Sequence, residues 1–228
     1  FRAGHEAKHA ENYRINSFHL GEGSPKQKFR ANMDAIYTLK TLENQNRDAT
    51  PEEQETLANY VGWGGLADAF DAEKTAWAGE YKELKAALTE EEYAAARAST
   101  LNAHYTSPTV IRAIYEALDG MGFEKGNILE PSMGVGNFFG MLPDSMLGSR
   151  LYGVELDSIT GRIAQKLYPQ AEIKVAGFET TDRRDFYDLA VGNVPFGNYR
   201  VSDKPYDKLG FSIHNYFFAK ALDQVRPG

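Results

Sequence analysis

From residue 101 onward, short apolar runs alternate with stretches of helical periodicity, and this alternation leaves few architectures open. The runs are Ile128-Leu129, Leu151 to Leu156, Ile173 to Val175 and Leu189 to Val191. Ahead of them Ser107-Pro108 caps a helix carrying Val110, Ile111, Ile114 and Leu118. Strands separated by helices in this way form a mostly parallel sheet through right-handed crossovers, with helices on both faces. Residues 101–228 are therefore expected to be an α/β layer domain.

The first hundred residues read differently. Phe29, Met33, Ile36, Leu39 and Leu42 recur at spacings of three or four and so line one face of a helix, with Pro25 in its first turn. Thr50-Pro51-Glu52-Glu53 sets a hydroxyl cap, a proline at the first helical position and an acid three residues after the cap, predicting a helix to about Val61. Gly62-Trp63-Gly64-Gly65 breaks it, and Thr89 to Glu92 repeats the cap ahead of an Ala-rich segment. Residues 1–100 are read as a helical segment. Trp63 is expected to anchor that segment against the α/β part rather than to serve as a partner-binding knob.

Composition removes whole classes of chemistry. The 228 residues contain no cysteine, which excludes disulfides, zinc ribbons, iron–sulfur clusters and thiol nucleophiles, and no metal site is read from the five histidines. No apolar stretch reaches the roughly 18 residues of a bilayer span. The net charge is −7, with 12 basic and 17 acidic side chains in residues 1–100 against 13 and 15 in the remainder. A chain so charged does not grip phosphate over its whole surface. Phe1 stands first without a leader and Arg226-Pro227-Gly228 reads as a turn, so the chain is read as an excised piece.

Three stretches can carry chemistry. Glu130-Pro131-Ser132-Met133-Gly134-Val135-Gly136 follows the first run as a strand-to-helix turn whose glycines allow close backbone approach. Position 139 is Phe, so the dinucleotide fingerprint is incomplete. Glu155 ends the second run, where a carboxylate can hold ribose hydroxyls. Together they suggest a nucleoside-bearing cofactor without a pyrophosphate, although the turn alone equally fits a tight βα connection. The third stretch, Asp188 to Phe196, is a strand ending in Asn193-Val194-Pro195-Phe196 at the carboxyl edge; by itself it also fits a proline-stopped turn with Phe196 in the core.

In that order, His104-Tyr105-Thr106-Ser107-Pro108, Glu130 to Phe138, Gly153 to Asp157 and Asn193 to Phe196 resemble the adenine-specific, S-adenosylmethionine-dependent DNA methyltransferases. More closely, Tyr60 to Leu66 and Ile213 to Phe218 are similar to stretches in the methylase portion of methylase–helicase polypeptides of bacterial conjugative elements and phages. The resemblance implies a Rossmann-like methyltransferase core, truncated at its C-terminus to four parallel strands. Tyr105 and Thr106 would contact the methionine end of the cofactor, Glu130, Pro131, Gly134 and Gly136 would cradle it, Glu155 would hold its ribose, and Phe178 would pack on its adenine. Where the family often has Asp before that Phe, this chain has Gly177, with Glu179 as the substitute.

Asn193, Val194, Pro195 and Phe196 would be the catalytic tetrapeptide. Val194 replaces the family's first proline, but the acceptor needed there is a main-chain carbonyl, which valine supplies equally. The partners implied are adenine-containing DNA and further domains of the same polypeptide, a helicase among them, in the bacterial cytoplasm. In isolation the chain is expected to bind cofactor with little or no transfer. The rival readings are methylation of a protein glutamine amide and a non-catalytic module that protects DNA or tethers a helicase.

The loop Tyr199 to Lys208 interleaves aromatics with Arg200, Lys204 and Lys208, as a strand-contacting loop does. With Asp203 and Asp207 set against these cations, it is read as a solvated loop. His214 is read as structural.

Overall fold

Ser24 opens the first helix: its hydroxyl accepts from the Gln27 amide while the Gln27 side chain accepts from the Ser24 amide. The computed structural model describes residues 10–16, 21–101 and 106–227. This helix, α1, is Pro25–Asn44, and Phe29, Met33, Ile36, Leu39 and Leu42 are all buried on one face as the spacing predicts. The same reciprocal cap at Thr50 and Glu53 starts α2, Pro51–Ala58, and at Thr89 and Glu92 starts α4, Glu90–Ser99. Between them lies α3, Ala78–Ala87, which has no side-chain cap.

Helix α2 stops three residues short of the predicted Val61. Asn32, fully buried on α1, accepts from the Val61 amide (2.9 Å) and donates to the Gly62 carbonyl (2.6 Å), drawing the chain out of the helix there. Trp63 is 2% exposed, but its ring partners are Phe29, Tyr60 and Phe70, all within the first hundred residues. It therefore anchors the helical segment to itself. The junction with the α/β part is made by other side chains.

Ser107 caps α5, Pro108–Gly120, which buries Ile111 and Tyr115 and leaves Val110 half-exposed. The strands follow: β1 Asn127–Glu130, β2 Arg150–Glu155, β3 Glu172–Val175 and β4 Leu189–Ala190. A short α6, Asn137–Gly140, lies between β1 and β2, and α7, Ser158–Leu167, between β2 and β3. Helix α8, Ile213–Gln224, follows β4.

All pairings are parallel, in the order β3-β2-β1-β4. That is the order of a Rossmann-like sheet, with the reversal of winding between β1 and β4. Side-chain alternation assigns the two faces: Ile128 and Leu151 join the core that contains α1, α2, α5 and α7, whereas Leu129, Tyr152 and Val154 join a second cluster with Tyr216 and Phe217 of α8. The helical segment and the sheet thus share one apolar core. No helix among the described residues is long and apolar enough to cross a membrane.

Arg162 on α7 ties the parts together. It holds both oxygens of Glu43 (2.7 and 2.8 Å) and one of Glu92 (2.8 Å), whose other oxygen takes Lys40 (3.0 Å). Burial alone would raise the Glu92 carboxyl, but the bonds from Arg162, Thr89 and Lys40 outweigh it and hold the group at about 2. The stability this lends is present above the unfolded carboxylate's value near ~4.3 and is lost as pH falls toward that lower value. Arg162→Ala should cost about 2 kcal/mol in urea unfolding at neutral pH, with the deficit shrinking in acid.

Candidate active site

The carboxyl ends of β1, β2 and β4 open onto two adjoining cavities, of about 290 and 730 Å3, which share Ser99, Ser132, Glu155, Asp157, Pro195 and Phe196. Such a crevice beside a switch point is where open α/β sheets receive ligands.

The glycine turn forms one wall. Gly134 and Gly136 have φ of +57° and +83°, left-handed values that a residue with a side chain rarely adopts. Gly134 faces open space, and its amide donates to Glu155 Oε2 (2.8 Å). Gly136 serves a different end: a Cβ there would collide with Tyr168 and Met133, so it permits close packing and is not among the residues at the cavity wall.

Glu130 ends β1 and is 2% exposed, and its Oε2 has no hydrogen-bond partner. Burial, and after it the Glu155 charge, push its carboxyl well above the ordinary range. Glu155 is also raised by burial, against the pull of the Asp157 and Gly134 amides that it accepts. Its two oxygens are thus already engaged with backbone, and each retains a further lone pair for a ligand hydroxyl.

From the other side, Val191 donates to the Leu129 carbonyl (2.9 Å), and Gly192 backs onto the Glu130 side chain, 3.1 Å from where a Cβ would stand. This delivers Asn193, Val194 and Pro195, half-buried, to the smaller cavity that also contains Glu130 and Gly134. Phe196 is 54% exposed and lies 6.0 Å from the His214 ring, so His214 at the start of α8 adjoins the site.

Thr106 reaches the smaller cavity, Pro131 the larger, and Tyr105 lies outside the described residues. Phe178 borders the larger cavity, yet it is 2% exposed and packed on Phe217 (ring centroids 4.9 Å), so it presents little more than an edge. Glu179 folds back over Gly177.

Sequence reasoning did not place Tyr60, Val61 and Gly62 at the smaller cavity, or Ala95 and Ala98 at the larger; both sets come from the helical segment. Asp157, which caps α7 through the Thr160 amide (2.9 Å), also reaches both cavities. The cap pattern was legible; its position in the cleft was not. Neither cavity has a Lys, Arg or His among the described residues of its wall, whereas Glu130, Glu155, Asp157, Glu91, Glu92 and Glu179 are all there.

No family model matches the chain. Over 214 residues, 91% of its length, it is 28% identical to the defense against restriction protein B of Escherichia phage P1, and it covers 8% of that protein. Over 92 residues, 40% of its length, it is 34% identical to the type II methyltransferase M.CvrRI of Paramecium bursaria Chlorella virus XZ-6E, covering 24% of it. Among solved structures, a Listeria monocytogenes protein described as a class I S-adenosylmethionine-dependent methyltransferase superposes over 89% of this chain and 72% of its own, with 14% identity and a TM-score of 0.45, too low for the likeness to carry weight. The chain, a Rossmann-like sheet with an acidic cleft at its switch point, is thus similar in sequence to a part of a phage anti-restriction protein and to a part of a viral methyltransferase.

Proposed function

We propose that this cleft binds S-adenosylmethionine and methylates the exocyclic amine of an adenine base turned out of DNA. The observation that carries the reading is that every charged residue on the described wall of the cleft is acidic, with the buried Glu130 carboxyl among them and its Oε2 without a partner. A buried anion without a partner is costly and calls for a cation. A pyrophosphate would meet repulsion here, whereas a ligand bearing an ammonium and a sulfonium meets complementary charge. The residues present therefore fit this cofactor, which when bound supplies an electrophilic methyl group. Glu130 would take the ammonium, Thr106 and the turn at Gly134 would hold the methionine end, Glu155 the ribose, and the edge of Phe178 the adenine. The similarity to a viral type II methyltransferase supports methyl transfer, and that to an anti-restriction protein supports DNA as the substrate.

The chemistry asked of the tetrapeptide is modest. The adenine amine is a poor nucleophile because its lone pair is delocalised into the ring. The Asn193 side-chain oxygen and the Val194 carbonyl, accepting hydrogen bonds from its two N–H groups, draw the nitrogen toward tetrahedral geometry and orient its lone pair. Pro195 has a fixed φ and stiffens the turn that presents both oxygens. Phe196, exposed at the mouth, stacks on the extruded base and returns about 1–3 kcal/mol of the cost of extrusion. Phe196→Ala should therefore weaken capture of the base by roughly 10- to 100-fold, read from the fluorescence of 2-aminopurine at the target position.

On the same reading, further domains of a longer polypeptide, a helicase among them, bring DNA to the site in the bacterial cytoplasm. The test is transfer of labelled methyl groups to adenine-containing DNA with protein in excess, followed by digestion to nucleosides. Label in N6-methyl-2′-deoxyadenosine is expected, in low yield from the isolated chain; label only in protein overturns the reading.

A further inference from the structure

The loop between Phe196 and Gly210 holds Asp203 inward and its cations outward. Asp203 Oδ2 accepts from Tyr216 Oη and from Lys220 Nζ, each at 2.6 Å; Lys220 is 4% exposed, donates also toward the Glu179 carbonyl (3.4 Å) and lies over the rings of Phe178, Tyr206 and Tyr216. Asp207 turns back on its own loop, accepting from the Asp203 amide (2.7 Å) and the Ser202 hydroxyl (3.2 Å). Tyr206, buried, donates to Asp223 of α8 (2.7 Å). Of the two carboxylates that the sequence sets against the loop's positive charge, Asp203 is thus consumed in fastening the loop to α8 and Asp207 in closing the loop on itself.

Arg200, Lys204 and Lys208 are all exposed, and none forms an ion pair among the described residues. The neighbouring basic pair behaves differently, Arg183 pairing with Glu172 and Arg184 with Asp223. At the start of the loop Tyr199 is 42% exposed and borders the larger cavity together with Phe196 and Val201. A chain of net charge −7 with an acidic cleft therefore carries, beside the mouth of that cleft, a braced segment presenting three free cations and two exposed aromatic rings.

We propose that residues 199–208 form the nucleic-acid contact of this chain, with Arg200, Lys204 and Lys208 on the phosphates flanking the extruded adenine and Tyr199 stacking on an adjacent base. The inference rests on DNA as the substrate. Cations on an exposed loop contribute by releasing counterions, so their removal lowers the salt dependence of binding as well as its strength. Stacking adds affinity without reading sequence. The buried Asp203–Lys220 pair acts as a positioning device beneath the contact.

The test is fluorescence anisotropy of a single-stranded, adenine-containing oligonucleotide against salt. It compares the wild type, the triple variant Arg200→Glu/Lys204→Glu/Lys208→Glu, and a control, Lys82→Glu/Lys125→Glu, whose exposed cations lie on α3 and ahead of β1. Three lost phosphate contacts should reduce the slope of log affinity against log salt by about 2, with at least tenfold weaker binding near physiological salt. S-Adenosylmethionine binding should stay unchanged in both variants, and the control should behave as wild type. Wild-type binding with the same slope in the triple variant, or an equal loss in the control, overturns the loop assignment and leaves DNA as substrate standing. A wild type that does not bind the oligonucleotide overturns both.

Discussion

Asn193→Ala should lower methyl transfer to adenine by a factor of about 10²–10³, the usual cost of deleting one side-chain group that stabilises developing charge, while S-adenosylmethionine binds within about threefold of wild type. The asymmetry follows from the placement of the residue. Asn193 lies beyond β4, whereas the glycine turn, Glu130 and Glu155 belong to β1, β2 and the connections that follow them. On the proposed reading its loss removes one acceptor from the amine and leaves the acidic wall intact. Single-turnover transfer paired with calorimetric titration of the cofactor separates the two effects. An equal loss of binding would show that Asn193 holds the cofactor, and unchanged transfer would remove it from the chemistry.

Glu130→Gln should have the opposite signature: cofactor affinity falling by about 100-fold, with the folded chain no less stable. The pH dependence has a defined sign. Burial raises the Glu130 carboxyl in the free protein, so its contribution to stability is complete below the unfolded value near ~4.3 and is lost as pH rises through the raised folded value. Glutamine carries no such loss and gains in relative stability toward neutral pH. Pairing Glu130 with a cation reverses the shift, so cofactor binding releases a proton below the free protein's value. Affinity should then climb with pH, by at most about tenfold per unit, and level off once Glu130 is ionised in the free protein. Calorimetry in two buffers of different ionisation heat counts that proton. In Glu130→Gln both the release and the rise should vanish; a wild-type affinity independent of pH would contradict the role given to Glu130.

The local features were legible because their causes are local. Thr50, Thr89 and Ser107 announce helices by satisfying orphan amides a few residues away, and the apolar runs name all four strands, with β4 one residue shorter than its run. Helix α3 was not seen, since Ala78–Ala87 has no side-chain cap and buries only Leu84. Features set by contacts far along the chain were lost. Trp63 was expected to span the two parts, but Phe29 and Phe70 enclose it, and Arg162 spans them instead.

The loop at 199–208 shows the same limit most sharply. Counting charges sets Asp203 and Asp207 against the loop's cations, but a buried lysine seventeen residues further on claims Asp203. Of the residues proposed for the site, Asn193 to Phe196, Gly134 and Glu155 line the cleft. That Glu130 lacks a partner, that Gly136 serves packing, and that the turn at Tyr60 to Gly62 closes the cavity all depend on the assembled fold.

The most direct measurement is a crystal structure of the chain with S-adenosylhomocysteine, the product left after methyl loss. The expected result is a ligand across both cavities, its ammonium on Glu130, its ribose at Glu155 and its sulfur directed toward the oxygens of Asn193 and Val194. A ligand seated elsewhere, or one whose sulfur points away from those two oxygens, would contradict the assignment of this cleft to methyl transfer.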